Sequence, residues 1–506
     1  MNYRKYALTG AALMGLTVLS APASAGKADD TLKIGLRAEL QNMDAYFNTD
    51  RVGIIVARHV WDNLLYRDPA DFSYKPALAK SYKWVDDVTL EFELRKGIKF
   101  HNGEVFDADD VVYTLNFVSN PENKVKNQRN VSWIKNAEKI DPYRVRIHLK
   151  KPFPAALDFI AGPLPIYPNE YYAKVGPEGM NAKPIGTGLY RVVSVEPGKE
   201  MVFEKNPDYF AESPKGQPSI GKLVFRTIPD TNTAVAELMT GGIDWLWKLS
   251  RDQGDNLKSN PNLVVTGGGT MRIGYLQMDA AGRSGDHPLK DVRVRRAIAH
   301  AINRKAIVDH LLPQGANVVN PACYPKQMGC TNDVTSYAYD PKKAKALLAE
   351  AGYPDGFSIP FDAYRNRNFA EAMIGDLRTV GIKTELRFNK YAPTRDNVSA
   401  GKSTMNFMTW GSYSINDISA ITSHFFKKGP SDLARDDDVA KWLEAGDTSV
   451  DPAVRNENYT KALKKIADQA YWLSLWNYAY VYAFNKDLDF TPTADEIPRF
   501  FTARWK

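Results

Sequence analysis

The chain has 506 residues, of which 44% are hydrophobic, 25% charged and 11% aromatic, and its formal net charge is +7. This composition is typical of a globular protein of two or three domains and excludes low-complexity and collagen-like chains. Basic residues are interspersed with acidic ones, so the sequence does not indicate nucleic-acid binding.

The first 25 residues have the organisation of a secretory signal peptide. Arg4 and Lys5 precede a short apolar run, and the small residues Ala23-Ser24-Ala25 follow it. A membrane anchor is the alternative, but the run is shorter than the ~20 residues that a spanning helix needs. We therefore expect cleavage after Ala25 and a soluble periplasmic protein. No cysteine follows the small residues, so we do not expect a lipoprotein.

Strand and helix patterns alternate through the first third of the chain. Thr31–Glu39 alternates apolar and polar residues as a half-buried strand does, and residues 51–68 carry apolar positions at helical spacing. Residues 81–100 and 137–152 each predict a pair of strands with a tight turn.

An acidic stretch, Phe100–Leu115, raises the question of a metal site or a catalytic carboxylate cluster. Its candidate ligands are His101, Glu104, Asp107, Asp109 and Asp110. The spacing matches neither the glycine-containing calcium loop nor the helical His-Glu-x-x-His zinc frame. Asp107 instead precedes a helical pattern and can cap its first turn, where acidic side chains suit the helix dipole. We therefore predict a helix start here and no metal site.

The remaining two thirds repeat the mixed pattern without an internal repeat. Residues 186–210 predict a β-meander, and residues 231–247 predict a helix, a Gly-Gly break and a strand. Residues 291–312 predict one amphipathic helix. Residues 340–357 predict a helix that ends at Gly352, and residues 368–388 predict a helix followed by a strand.

The chain has two cysteines, Cys323 and Cys330. Because an exported chain meets an oxidising compartment, we expect them to form a disulfide. The loop is short, so the entropic model predicts a local stabilisation of ~2–3 kcal/mol.

Sequence signatures of enzymes are scarce. The chain contains no Gly-x-Ser-x-Gly motif and no glycine-rich loop followed by Gly-Lys-Ser/Thr. A secreted glycoside hydrolase or other sugar-cleft protein is the alternative function, because 10 Trp and 26 Tyr with many carboxylates could line a sugar cleft. Such an enzyme needs two carboxylates ~5–10 Å apart, which the sequence alone leaves open.

Four sequence blocks carry a family resemblance. In chain order they are PALAKSYKWVDDVTLEFELRKGIKFHNGEVFDADDVVYTL (residues 76–115), PIGTGLYRVVSVEPGKEMVFEKNPDYF (184–210), DVRVRRAIAHAINRKAIV (291–308) and YDPKKAKALLAEAGYPDGF (339–357). From about Thr31 to its last residue, the chain resembles the extracellular solute-binding proteins of family 5, the peptide- and nickel-binding receptors of ABC importers. The resemblance implies an α/β, two-lobed periplasmic binding protein fold of type II, with a ligand cleft between lobes joined by two crossover strands.

The resemblance also implies a domain organisation. The core of lobe I is expected from residues 26–67, 182–280 and 480–506, with an extra small domain at residues 68–181 and lobe II at residues 281–479. The lobes would close over a solute by a hinge motion and then dock on the permease subunits of an ABC importer. Such a protein would be a monomer without cofactor, metal or catalytic activity.

The resemblance suggests the aromatic residues of the site. NFMTWGSYSIND, residues 406–417, matches a cleft-facing segment in which Trp410 and Gly411 would lie against the ligand. Trp247, in the segment before a crossover strand, is a further candidate. Tyr275 would lie near the hinge.

Charged ligand contacts are also implied by the resemblance. In peptide-binding members an arginine pairs with the terminal carboxylate of the ligand, and Arg365 or Arg367 matches it here. The aspartate that usually neutralises the α-amino group is replaced by Tyr413, a neutral phenol. Asp417 and Glu39 are the possible substitutes. We therefore expect a peptide-like or amino-acid-derived solute, with an opine-like or other polar solute as the wider class, and Tyr413 argues against dipeptide recognition of the usual kind.

Overall fold

The structure is a computed structural model that describes residues 26–48 and 50–506, except for the side chain of Tyr413. The predicted signal peptide, residues 1–25, lies outside the described residues. In the part of the chain that is described, no helix has the length and apolar character needed to cross a membrane.

Strands and helices alternate along the chain. The strands are β1 (Thr31–Leu36), β2 (Leu65–Arg67), β3 (Tyr74–Pro76), β4 (Ala79–Asp86), β5 (Thr89–Leu94), β6 (Ile134–Asp141), β7 (Arg144–Leu149), β8 (Tyr190–Glu196), β9 (Glu200–Lys205), β10 (Lys222–Thr227), β11 (Trp245–Leu249), β12 (Leu263–Met278), β13 (Asn317–Val318), β14 (Phe357–Ala363), β15 (Ile382–Phe388), β16 (Met405–Trp410), β17 (Trp472–Asn485), β18 (Leu488–Asp489) and β19 (Arg504–Trp505). The helices are α1 (Arg51–Val60), α2 (Ala108–Ser119), α3 (Ala156–Ala161), α4 (Asn169–Ala182, interrupted at Gly176), α5 (Thr231–Met239), α6 (Arg251–Leu257), α7 (Val292–Ala301), α8 (Arg304–Leu311), α9 (Pro341–Glu350), α10 (Arg367–Thr379), α11 (Tyr391–Ser399), α12 (Ser419–Phe426), α13 (Asp437–Thr448) and α14 (Pro452–Asp468).

One large mixed sheet extends through both lobes. Its strand order is β15-β14-β16-β12-β17-β11-β1-β10-β9-β8, and β13 pairs with β17. The long antiparallel strands β12 and β17 pair from Leu263 opposite Asn485 to Gln277 opposite Trp472. Their register shifts between Gly269 and Ile273. These two strands are therefore the crossovers between the lobes, as the resemblance implies.

The hydrophobic cores agree with a two-lobed molecule. The largest cluster of buried apolar side chains includes β1, α1 and the four-stranded sheet β4-β5-β7-β6 with α2 beside it. Separate clusters form around α7, α9 and α10, and around α12, α13 and α14. The four-stranded sheet lies within the stretch predicted as the extra small domain. The boundaries of that domain and of the lobes stay predictions.

The prediction of one helix over residues 291–312 is wrong. The structure has two helices, α7 and α8, with Ile302 in an extended conformation between them. Asn303 causes the restart, because its side-chain oxygen accepts a hydrogen bond from the backbone N–H of Ala306 at 3.0 Å. Most apolar residues of the segment are still buried, as the amphipathic pattern predicts.

The acidic stretch is a helix start, as predicted. Asp107 accepts a hydrogen bond from the backbone N–H of Asp109 at 2.7 Å, and Asp110 accepts one from the N–H of Asp107 at 2.9 Å. His101 contacts the backbone carbonyl of Gly188 at 3.0 Å. Within residues 26–48 and 50–506, no group of three or more His, Cys, Asp or Glu side chains could hold a metal ion.

Candidate functional site

The basic cluster at the crossover consists of Arg51, Lys248, Arg272 and Arg365. Arg51 begins α1, Lys248 lies on β11, Arg272 lies on crossover strand β12, and Arg365 follows β14. All four residues are half-buried. The cluster therefore gathers positive charge from both sides of the crossover, where the cleft of a two-lobed binding protein lies.

Arg365 is the member of the cluster beyond the end of β14. Its guanidinium carbon lies 5.1 Å from the ring centroid of Tyr478, and its Nη1 donates to Thr409 Oγ1 at 3.4 Å. In the described part of the chain, no carboxylate lies within 4 Å of this guanidinium. An arginine held by an aromatic face, with unused donors and no counter-charge, suits recognition of a ligand carboxylate.

Lys248 is held by aromatic faces in a similar way. Its ammonium lies 4.3 Å from the ring centroid of Trp247 and 5.3 Å from that of Tyr480. The backbone of Lys248 has a φ of 58°, in the left-handed region that is uncommon for residues other than glycine. Burial lowers the pKa of the Lys248 ammonium to about 8, an effect that Glu496 opposes and the nearby arginines reinforce.

Glu496 is the carboxylate at the centre of the basic cluster, and it is 2% exposed. Arg272 donates to it from Nε at 3.0 Å, and Arg51 donates from Nη2 at 3.1 Å. Burial opposes ionisation, but Arg272 and Arg51 outweigh it and lower the pKa of Glu496 to about 2. Glu496 is therefore ionised at neutral pH and holds two of the four cations in place.

Trp410 and Gly411 lie next to the basic cluster. Trp410 ends β16 opposite Ile273 of β12, and its indole N–H donates to the carbonyl of Ala420 at 3.0 Å. The indole stacks on His424 with ring centroids 4.6 Å apart. At Gly411, a β-carbon would lie 2.7 Å from Arg272 Nη2, so the absence of a side chain lets the guanidinium approach the backbone.

The segment after β16 contacts the other side of the cleft. Arg51 Nη1 donates to Ser414 Oγ at 2.7 Å, and the buried Arg67 donates to the carbonyl of Ser414. Asp158 accepts a hydrogen bond from the N–H of Asn416. A cavity of about 140 Å³ lies beside this segment, lined by residues of α1, the small domain and Ile415. These contacts bring the lobes together on one side of the basic cluster.

Two predicted charged residues have internal partners. Asp417 is 1% exposed and pairs with Arg455 at 2.5 Å, while its other oxygen accepts from the N–H of Ser419. Arg367 is exposed and pairs with Glu371 at 2.8 Å. Of the two predicted arginines, Arg365 is thus the one in the basic cluster.

Three further predicted residues lie around the crossover. Trp247 is 4% exposed and packs on Tyr480 as well as under Lys248. Glu39 follows β1 and is half-buried. Tyr275 stacks on Trp472 with ring centroids 3.7 Å apart, and it follows the register shifts of β12. The hinge role of Tyr275 stays a prediction, and the side chain of Tyr413 lies outside what the structure describes.

The sequence analysis missed Lys248, Arg51, Arg272 and Glu496. Arg272 carried a usable signal, since it is a charged residue within the mostly apolar crossover segment MRIGYLQMD. Lys248 follows the DWLW motif directly, but nothing in the local sequence indicates its left-handed backbone. The partners of Glu496 are 224 and 445 residues away in the chain, too far for any local pattern to show.

The fold and this site define a two-lobed, solute-binding protein of the periplasmic type. Comparison with known proteins leads to the family. A model of the bacterial extracellular solute-binding proteins, family 5, matches residues 73–432, so the chain belongs to that family. Members of the family are substrate-binding proteins of ABC importers, and this chain is one of them. The glycoside hydrolase alternative finds no support.

Similar proteins include both sequence relatives and solved structures. The glutathione-binding protein GsiB of Salmonella paratyphi A is 30% identical over 384 residues, which are 74% of this chain and 72% of the relative. The structure of HbpA2 from Haemophilus parasuis is 23% identical and matches with a TM-score of 0.83, covering 94% of this chain and 100% of the other. A dipeptide-binding protein from Pseudoalteromonas in complex with Met-Leu is 21% identical and has a TM-score of 0.75, with coverage of 94% and 100%.

Proposed function

We propose that this protein captures a peptide-like or amino-acid-derived solute in the periplasm and delivers it unchanged to the permease of an ABC importer. The observation that carries the proposal is Arg365, which has an aromatic support and no carboxylate partner among the described residues. A solute carboxylate would supply the missing counter-charge through bidentate hydrogen bonds. GsiB is a glutathione-binding protein, which supports an amino-acid-derived ligand.

The amine end of the solute needs a carboxylate other than the usual aspartate. Tyr413 replaces the usual aspartate, and Asp417 is already neutralised by Arg455. Glu39 is half-buried and forms no ion pair with any described residue, so we propose it as the amine contact, if the solute has an amine. Burying an ammonium without such a partner would be costly.

The proposal includes export. The Ala-Ser-Ala site and the absence of a following cysteine support a mature protein that begins at Gly26 and carries no lipid. N-terminal sequencing of the periplasmic fraction should find Gly26 first. A protein recovered in the membrane fraction with residues 1–25 intact would contradict this part of the proposal.

Mass spectrometry of the ligand released from freshly purified protein tests the central claim. We expect a single small solute with a free carboxylate, released by mild denaturation and chemically identical to the solute added back. Recovery of a cleaved product would instead indicate an enzyme. Release of reducing sugar from polysaccharides would specifically support the glycoside hydrolase alternative.

A further inference from the structure

The basic cluster contains more positive charge than the protein itself neutralises. Among residues 26–48 and 50–506, Glu496 is the only carboxylate within 4 Å of any of its four cations. Four cations therefore face one bound carboxylate, and Arg51 and Arg272 already share it. Lys248 and Arg365 therefore have no carboxylate partner among the described residues.

The uncompensated charges are those of Lys248 and Arg365. Each lies over an aromatic ring, Lys248 over Tyr480 and Arg365 over Tyr478. Both arginines of the Glu496 pairs are fixed by charge-assisted hydrogen bonds. Among the described residues, the Lys248 ammonium has only the two aromatic faces. Concentrating like charge in a half-buried place is unfavourable unless something of opposite charge binds there.

We infer that the solute carries at least two acidic groups, one bound by Arg365 and the other by Lys248. This inference rests on the proposed function and narrows its ligand to amino-acid-derived solutes with a second carboxylate. Carboxylates accept charge-assisted hydrogen bonds from both types of side chain, and the lysine binds as a compact point charge.

The two rings beneath these cations are close together on one strand. Tyr478 and Tyr480 are two residues apart on β17, so their side chains lie on the same face of the strand. That spacing is ~7 Å along a strand. Each cation lies just over 5 Å from its ring, 5.3 Å for Lys248 and 5.1 Å for Arg365, so we expect one small solute to contact both, such as a dipeptide with an acidic side chain or glutathione.

Matched acid and amide peptides test the second carboxylate. Ala-Glu and Ala-Gln, and likewise Ala-Asp and Ala-Asn, differ only in that group. In calorimetric titrations of ligand-free protein at pH 7, we expect the acid of a pair to bind at least tenfold more tightly than the amide. Lys248→Met should reduce that preference to about twofold or less. Lys248→Arg should restore much of the preference, and Arg367→Met, on the exposed surface, should change neither affinity.

A pH series provides a second readout that a purely structural lysine would not give. The ratio of the affinity for the acid peptide to that for its amide should fall between pH 7 and pH 9. The reason is that the Lys248 ammonium, whose pKa is about 8 in the free protein, loses its proton in this range. The charged or titratable groups around it are Glu496, Arg51, Arg272, Arg365 and Tyr480. The pKa of Glu496 is about 2 and burial raises that of Tyr480, so neither changes charge in this range. Both peptides of a pair carry the same α-amino group, so its titration changes both affinities alike and leaves their ratio unchanged. In Lys248→Arg the ratio should not vary with pH.

Several outcomes would overturn the inference. The inference is wrong if the amide peptide binds as tightly as its acid. It is also wrong if the preference for the acid peptide is unchanged in Lys248→Met. If no peptide pair binds, the solute released from purified protein decides. A solute with one acidic group or none overturns the inference but leaves the receptor function intact. Failure to capture any solute, or return of an altered one, overturns the proposed function and this inference with it.

Discussion

Arg272 and Glu496 form a two-point ion pair at the crossover between the lobes. Arg272 Nε lies 3.0 Å from Glu496 Oε1, and Arg272 Nη2 lies 3.3 Å from Oε2. Arg272 falls within the register shift of β12, between Gly269 and Ile273, where the pairing with β17 is interrupted. The ion pair therefore ties the irregular part of crossover strand β12 to the segment that carries Glu496.

Replacing Glu496 by glutamine should destabilise the protein. The substitution keeps the shape but leaves the guanidinium groups of Arg272 and Arg51 without their counter-charge in a buried place. Removing one partner of a buried ion pair costs about 3–5 kcal/mol. Urea denaturation, monitored by circular dichroism, should show a decrease of that size in the free energy of unfolding. Glu371→Gln, which breaks an exposed pair with Arg367, is the control and should cost less than about 1 kcal/mol. Equal losses in both variants would refute a special role for Glu496.

The contribution of Glu496 to the free energy of unfolding should decrease at acid pH. Its folded-state pKa of about 2 lies below the ordinary value of 4.5, so its ionised form is stabilised by folding. That stability is present above pH ~4.5 and is lost as the pH falls towards 2. At ~1.4 kcal/mol per pH unit, the difference in unfolding free energy between wild type and Glu496→Gln should shrink by about 2 kcal/mol from pH 5 to pH 3. A difference that stays constant over this range would contradict the prediction.

The sequence alone gives most of the fold, because the elements depend on local patterns. The turn at Asp86-Asp87, the helix start at Asp107 and the helix end before Gly352 all follow from residues within a few positions. The break at Asn303 was missed, because an asparagine inside an amphipathic pattern is compatible with either a continuous helix or a new cap.

The candidate site is harder to predict from the sequence. Arg365 and Trp410 are found only through their match to family blocks. Lys248 and Glu496 depend on contacts between distant parts of the chain and on the unusual backbone conformations of both residues. Local patterns carry no information about which separated charges meet. The surplus positive charge of the basic cluster is therefore a property of the folded molecule alone.

Arg365→Met should weaken solute binding without unfolding the protein. The side chain makes no ion pair within the described chain, so its loss should leave the thermal midpoint nearly unchanged. A charge-assisted hydrogen bond contributes about 1.5–3 kcal/mol, which corresponds to a roughly 10- to 150-fold increase in Kd. The Kd of each variant is measured by calorimetry, with the solute that mass spectrometry identifies. Arg367→Met is the matched control, and a larger loss of affinity there would mean that the wrong arginine has been chosen.

Trp410 should report lobe closure by fluorescence. Its indole stacks on His424 and donates to Ala420, next to the segment that contacts Arg51 across the cleft. Trp410→Phe should remove most of the solute-induced change in tryptophan emission and cost about 1 kcal/mol for the lost hydrogen bond. Trp84→Phe, in the four-stranded sheet of the small domain, should leave the signal unchanged. A signal that persists in Trp410→Phe and disappears in Trp84→Phe would assign the reporter to the small domain.

The disulfide Cys323–Cys330 should support the site indirectly. The structure contains the bond, with the two α-carbons 6.0 Å apart, so thiol titration of denatured, unreduced protein should find no free thiol. The loop it closes braces the segment after Trp410, because Gln327 donates to the carbonyl of Ile415 at 2.9 Å and Met328 N–H donates to that of Asn416 at 2.8 Å.

Replacing both cysteines by serine should lower the free energy of unfolding by ~2–3 kcal/mol through loss of the short closed loop. The hydrogen bonds to the 415–416 segment do not require the sulfur atoms, so solute affinity should fall only a few-fold. Urea denaturation and calorimetry on the same variant separate the two effects. Two free thiols in the wild type would refute the disulfide. Abolished binding in a variant that remains folded would show that the disulfide itself, and not only the loop, determines the shape of the site.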